Sequence, residues 1–252
     1  MEKKILIAGG CSFTFEDWNW PGHLSKILDT SLVNNGMGSQ GNALISRKLI
    51  YSVTESLKQY KPEEIIVGIM WSGIDRHEFY DTKRKQATYW GWKNVENLDP
   101  RVKNPTEVVP GRKNWYILNY HWTNKESINF YGNFHNHISS MIYTLEHILL
   151  TQMFLEKNNI DYFMSTYMDI FSNDEIMNNP EIKYLFNLID FSKFLPVKGC
   201  HEWVKDNYED SGGFNNPDEN GYVGIHPTSF GHEKFTNEVI IPFLNNNYKQ
   251  LL

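Results

Sequence analysis

Short apolar runs alternate with amphipathic stretches along this chain. "KILIAGG" (4–10) is β-branched, unbroken and closed by glycines, which predicts a buried first strand. "PGHLSKILD" (21–29) places Pro at a first helical turn, with Leu24, Ile27 and Leu28 on one face. "SLVNNG" predicts a short second strand. "GNALISRKLIYSVTESLKQY" predicts a helix whose Leu44, Ile45, Leu49 and Val53 recur near 3.6 residues. "EEIIVGIMW" (63–71) is the clearest strand, apolar throughout as in a parallel sheet covered on both faces.

From residue 77 to about 134 this rhythm stops. Pro100, Pro105 and Pro110 interrupt a segment holding Trp90, Trp92, Trp115 and Trp122, which predicts an insertion or cap on a single domain spanning 1–252. Regular patterning resumes with a helix at "HISSMIYTLEHILLTQMFLEKNN" and a strand at 160–169. Residues 171–222 are mixed, with a short helix expected near 180–189. "HPTSFGHEKFTNEVIIPFL" predicts a last helix that Pro242 ends or kinks. The βαβ order predicts a three-layer α/β/α domain around a mostly parallel sheet, with ligands bound beyond the carboxyl ends of its strands.

That rule draws attention to polar residues just past each strand. Ser12 follows the first, and a serine nucleophile needs a base for its proton. His226, ahead of Pro227 and the last helix, is placed to supply one. "NNGMGSQGN" (34–42) offers backbone donors for an oxyanion at Gly38, Ser39 or Gly41, where a helix N-terminus favours negative charge. "WSGIDR" adds Ser72 and the Gly73 N–H. Arg76 either fixes this loop together with Asp75 or holds a substrate carboxylate or phosphate.

The net charge of −6 argues against a general nucleic-acid binder. Two cysteines without a CxxC pair, and no apolar run near the ~18 residues of a membrane span, lead to the expectation of a soluble cytoplasmic protein. The histidines at 135, 137 and 147 lack the spacing of a metal motif. Cys11 is read as a small buried residue, with reactivity as the lesser alternative. "GMGSQG" fits GxGxxG, but no acidic ribose partner follows, which weakens a nucleotide-binding reading. The tryptophan-rich segment is read either as the core of a cap or as a platform for sugar rings or an acyl chain.

Together, "GGCSFT", "NNGMGSQGN" and "HPTSFGH" resemble, in order, blocks of the SGNH or GDSL hydrolase family. The resemblance implies a flavodoxin-like sandwich and ester hydrolysis without a cofactor, with Ser12 as nucleophile and His226 as base. It puts Ser39 at the oxyanion glycine position and Asn42 at the end of the Gly block. The implied substrate is a small-molecule or glycan ester. Three positions depart from the pattern. Cys11 replaces the Asp before the nucleophile, Ile74 replaces the oxyanion Asn, and Val223 stands where the triad acid belongs. Asp218 and Glu219 are therefore candidates to fold back onto His226, and Ser72 is the substitute oxyanion donor. A non-catalytic binder and an acyltransferase are the rival readings on the same scaffold.

Overall fold

The computed structural model describes residues 3–80, 115–120, 125–215 and 224–248. Four strands, β1 (Ile5–Gly10), β2 (Ser31–Asn34), β3 (Ile65–Trp71) and β6 (Asp161–Thr166), form one parallel sheet in the order β2-β1-β3-β6. The chain goes outward from β1 to β2, then returns across β1 to β3. The crevice between the carboxyl ends of β1 and β3 is thus the topological switch point, where sheets of this kind bind ligands.

The period-two alternation of strand side chains divides the core in two. Leu6, Ala8, Ile66, Met70 and Phe163 pack against α2 (Trp20–Ile27), α8 (Cys200–Tyr208), α9 (Ser229–Phe235) and α10 (Ile241–Asn247). Ile5, Ile7, Val67, Ile69, Tyr162 and Met164 face α3 (Asn42–Ser56), α5 (His137–Lys157) and α7 (Pro180–Phe186). This is the expected α/β/α sandwich. At Gly68 an added Cβ would stand 2.6 Å from the Phe163 ring and 2.7 Å from Trp20, so the bare backbone lets that indole lie on the sheet.

Two local expectations need correction. The stretch from 77 to 134 is regular at its described ends. β4 (Arg76–Tyr80) and β5 (Trp115–Asn119) pair antiparallel outside the main sheet, and α4 (Lys125–Asn133) follows. The alternation in "RHEFY" is too short to read without its partner strand. Trp90, Trp92 and Trp122 lie outside the described residues. At Pro242, where an end or a kink is expected, the helix does not end. A five-residue π-helical turn (Thr236–Ile240) precedes it, and α10 continues through it. In a π turn the carbonyls pair five residues on, so the carbonyl four residues before Pro242 is not aimed at its ring.

The segment read as mixed also contains α8 and the short α6 (Asp174–Met177). Among the described residues, no helix is long and apolar enough to cross a membrane.

Candidate active site

β1 ends at Gly10, and the chain turns through Cys11 into α1 (Ser12–Phe15). Glycine is required at position 10, since a Cβ there would meet Thr14 Oγ1 and would lie 2.9 Å from the Met70 carbonyl oxygen. The turn is pinned from outside. Asn19 Nδ2 donates to the Ser12 carbonyl at 3.0 Å, Trp20 Nε1 to Thr14 Oγ1 at 3.1 Å, and Asn34 Nδ2 to the Thr14 carbonyl at 2.7 Å. Ser12 is left partly exposed at the sheet's rim.

His226 arrives from the far end of the chain. Its loop is anchored by Thr228, whose N–H donates to the Gly213 carbonyl (2.8 Å) and whose Oγ1 caps α9 by accepting from Gly231 N. His201 Nδ1 donates to the Ile225 carbonyl at 2.9 Å, just before His226. The His226 ring packs over Phe13, with centroids 4.9 Å apart, and its Nε2 lies 2.6 Å from Ser12 Oγ. Desolvation, then the charges of Arg76 and His201, lower its pKa below 6.5, so the imidazole is neutral at pH 7. With Nε2 unprotonated, the Ser12 hydroxyl donates to it. That is the geometry a general base needs toward a serine nucleophile.

Asp218, Glu219 and Val223 lie outside the described residues. Among the described residues, no carboxylate hydrogen-bonds His226. His232, the second histidine of "HPTSFGH", is buried beside Phe13 and Trp18, and burial drives its pKa down to about 3. It is a neutral packing residue.

The loop after β2 is tied to the end of β1, where the Met37 N–H donates to the Gly10 carbonyl at 3.3 Å. Met37–Gln40 forms a turn in which Ser39 has φ 59°, the left-handed region that favours glycine. No partner among the described residues takes the N–H of Gly38 or Ser39. The Gly41 N–H differs, because it donates to Glu78 Oε1 on β4. The expectation that Gly41 offers its N–H to an oxyanion is therefore corrected.

Asn42 is occupied as well. Its Nδ2 donates to the Ser72 carbonyl and to Thr144 Oγ1, both at 3.1 Å, and its Oδ1 accepts from Ser72 N at 2.7 Å. It clamps the ends of β3 and α3 to α5. Ser72 is completely buried, and its Oγ accepts from Arg76 Nη1 at 2.6 Å. As a direct oxyanion donor it is corrected too: no substrate atom reaches a sealed hydroxyl. Gly73 is buried beside the Tyr167 ring, where a Cβ would come within 3.3 Å of its Oη.

Four nearby residues escaped sequence reading. Tyr167 directly follows β6, where the rim rule that singled out Ser12 applies equally, and Arg76 lies over its ring at 5.0 Å. Gln40 donates to the Gly10 carbonyl while its Oε1 accepts from the buried Lys48 Nζ at 2.6 Å. Glu78 had no signal, being inside the stretch read as irregular. Cys11, by contrast, is buried as the sequence reading expects, and it forms no disulfide.

Further along β4, Phe79 lines a groove of about 770 Å³ with Tyr116, Leu118, Phe130 and Phe134. At strand rise, this groove opens within about 10 Å of Arg76. Among the described residues, no group of three or more His, Cys, Asp or Glu side chains could hold a metal ion.

A family model described as a family of unknown function, DUF6071, matches residues 9–246. The chain belongs to this family. No curated protein matches it. Among solved structures, it is similar to TesA, with 11% identity, a TM-score of 0.47 and coverage of 99% of this chain and 100% of that one. It is similar to a member of the lipolytic protein G-D-S-L family from Veillonella parvula DSM 2008, with 7% identity, a TM-score of 0.44 and coverage of 98% and 99%. It is also similar to Est2A, an acetyl xylan esterase from Butyrivibrio proteoclasticus, with 15% identity, a TM-score of 0.43 and coverage of 99% of this chain and 65% of that one.

Proposed function

We propose that this DUF6071 protein is a serine hydrolase of the SGNH type that cleaves short-chain, O-acetyl-type esters carried on a carbohydrate. The observation that carries the reading is the 2.6 Å approach of His226 Nε2 to Ser12 Oγ across 214 residues of chain. Two separately anchored loops meet at the switch point of a parallel sheet, and a buried structural contact needs neither an exposed rim nor a neutral imidazole.

In this mechanism Ser12 Oγ attacks the ester carbonyl carbon. The Ser12 proton passes to His226 Nε2, and the carbonyl π pair moves onto oxygen. Collapse of the tetrahedral adduct re-forms the carbonyl and breaks the bond to the alkoxy group, which takes the proton from His226. Water repeats the sequence on the acyl-enzyme and releases the acid and Ser12. The N–H groups of Gly38 and Ser39 are the backbone donors in this scheme. Asp218 or Glu219 is the proposed support of the His226 cation. The aromatic groove beside β4 is the proposed platform for the sugar, since ring faces and one or two polar groups suit a partly polar ligand.

The test is p-nitrophenyl acetate hydrolysis by wild type, Ser12→Ala and His226→Ala, with fluorophosphonate labelling read by mass spectrometry. The expected result is turnover lost in both variants and a label on Ser12. Turnover accelerated by an alcohol acceptor would make the enzyme an acyltransferase. No turnover and no label would make the protein a ligand binder on this scaffold.

A further inference from the structure

The two sides of His226 are held differently. On its C-terminal side, Pro227 bridges to Phe214, and Thr228 ties to Gly212 through its Oγ1 at 2.6 Å and to Gly213 through its N–H at 2.8 Å. On its N-terminal side little packs. The Ile225 side chain is 42% exposed, and a Cβ at Gly224 would meet nothing within 4 Å. Among the described residues, one hydrogen bond holds the two residues before His226: His201 Nδ1 donates to the Ile225 carbonyl at 2.9 Å. A carbonyl only accepts, so His201 carries a proton on Nδ1.

His201 is itself fixed to the rim of the sheet. Its backbone N–H, in the first turn of α8, donates to the Tyr167 carbonyl at 2.8 Å, and its ring lies against Phe214 with centroids 5.3 Å apart. Tyr167 packs on Phe13, and Phe13 on His226, each pair with centroids 4.9 Å apart. These contacts close a circuit from Ser12 and Phe13 through Tyr167 and His201 to Ile225 and His226. The 2.6 Å approach of His226 Nε2 to Ser12 Oγ completes it.

Packing on Phe13 restrains one face of the imidazole but not its reach along that face. The reach is fixed by the backbone on either side. We infer that His201 is the positioning residue of the general base: by holding the Ile225 peptide to α8, it keeps His226 Nε2 within hydrogen-bond distance of Ser12 Oγ. The inference rests on the hydrolase reading above. A base and its nucleophile work only at contact distance, and a displacement of about 1 Å can cost about 10²-fold in rate. In this role His201 acts through His226 and transfers no proton itself.

His201 also affects His226 through charge. Of the groups facing the imidazole, Arg76 on β4 and His201 on α8 oppose its protonation, while the buried His232 on α9 is neutral. Substitution separates this charge from the tether. His201→Leu keeps apolar bulk against Phe214 and removes both. His201→Asn removes the charge but places an amide N–H near the position of Nδ1.

The test compares these variants with wild type on p-nitrophenyl acetate at pH 8, where His226 is neutral, and at pH 6. Folding is checked by urea unfolding, and His201→Ala takes the place of the leucine variant if that does not fold. At pH 8, His201→Leu should lower kcat about 10–10²-fold with KM changed less than about threefold, and fluorophosphonate labelling of Ser12 should slow in parallel. His201→Asn should recover kcat to within about threefold of wild type.

A fall in kcat of less than about tenfold in His201→Leu would overturn the inference. So would equal losses in the leucine and asparagine variants, a change confined to KM, or a rate loss seen at pH 6 that disappears at pH 8, for which charge alone would account. Activity lost in Ser12→Ala but kept in His201→Leu would sink this inference alone. A wild type with neither turnover nor label would sink the hydrolase reading and this inference with it.

Discussion

Glu78 Oε1 on β4 accepts the backbone N–H of Gly41, the residue that caps helix α3. The contact fastens the β4–β5 hairpin to the loop that carries Gly38 and Ser39. The carboxyl is buried, and burial raises its pKa to about 7 despite the Gly41 hydrogen bond and the charges of Lys48, Arg47 and Arg76. Between the ordinary value of 4.5 and about 7, the native protein holds a proton that the unfolded chain has lost. This group's contribution to stability therefore declines as pH rises through that window and is level above it. The full gap corresponds to roughly 3 kcal/mol. In urea unfolding from pH 4.5 to 8, Glu78→Gln should remove this decline relative to wild type, because its amide carbonyl can still accept from Gly41. Parallel pH curves for the two proteins would show that Glu78 does not titrate in this range.

His226 governs a second pH dependence, of opposite sign. Desolvation first, then Arg76 and His201, lower its pKa, so the neutral base persists below pH 6.5. The acid limb of kcat/KM for p-nitrophenyl acetate should have its midpoint under 6.5. In Arg76→Gln the midpoint should move upward, since one of the opposing charges is gone. If the proposed mechanism holds, replacing His226 by alanine should cost on the order of 10³-fold or more in kcat, as loss of the histidine base does in serine proteases. A midpoint above 6.5 in wild type would show that a nearby carboxylate outweighs desolvation and the Arg76 charge.

Much of this architecture can be read from the chain itself. Buried parallel strands are continuous apolar runs, so "KILIAGG" and "EEIIVGIMW" announce β1 and β3, and with them the rim on which Ser12 stands. His226 is legible because Pro227 and the following helix mark where the last loop returns to the sheet. The unread parts share a different cause. Glu78 meets Gly41 across 37 residues, and the signal for β4 depends on β5, so neither is visible in a local window. Ser72 and Asn42 were recognised as polar residues in the right blocks, yet their roles depend on burial, which sequence spacing does not report. Polar residue type locates a site. Which of its hydrogen bonds are already taken is a property of the fold.

Asn42 offers a direct measure of that distinction. It makes three buried hydrogen bonds that join α3, the end of β3 and α5. Asn42→Ala would leave the Ser72 N–H and C=O unpaired, and Thr144 would lose a donor. Each orphaned buried group costs about 1–3 kcal/mol, so a destabilisation of about 2–4 kcal/mol is expected after partial relaxation. The measurement is the shift in the urea midpoint at constant m-value. A loss under about 1 kcal/mol would show that water replaces the amide.

Ser39 supplies the last prediction. With φ at 59° it occupies the left-handed region, where a Cβ is disfavoured by about 1–2 kcal/mol. Ser39→Gly relieves that strain in the native state but increases the freedom of the unfolded chain, an effect of about 0.4–1 kcal/mol in the other direction. The balance predicts a change between nothing and about 1.6 kcal/mol of stabilisation, seen as an unchanged or higher Tm. The backbone N–H is retained, so kcat should change by less than about threefold if that N–H, and not the hydroxyl, faces the oxyanion. Ser39→Ala separates the two contributions, because it removes the hydroxyl while keeping the Cβ and its strain. A tenfold or larger loss of kcat in both variants would assign the donor role to the hydroxyl. Loss in Ser39→Gly alone would show that a rigid turn is what presents the N–H.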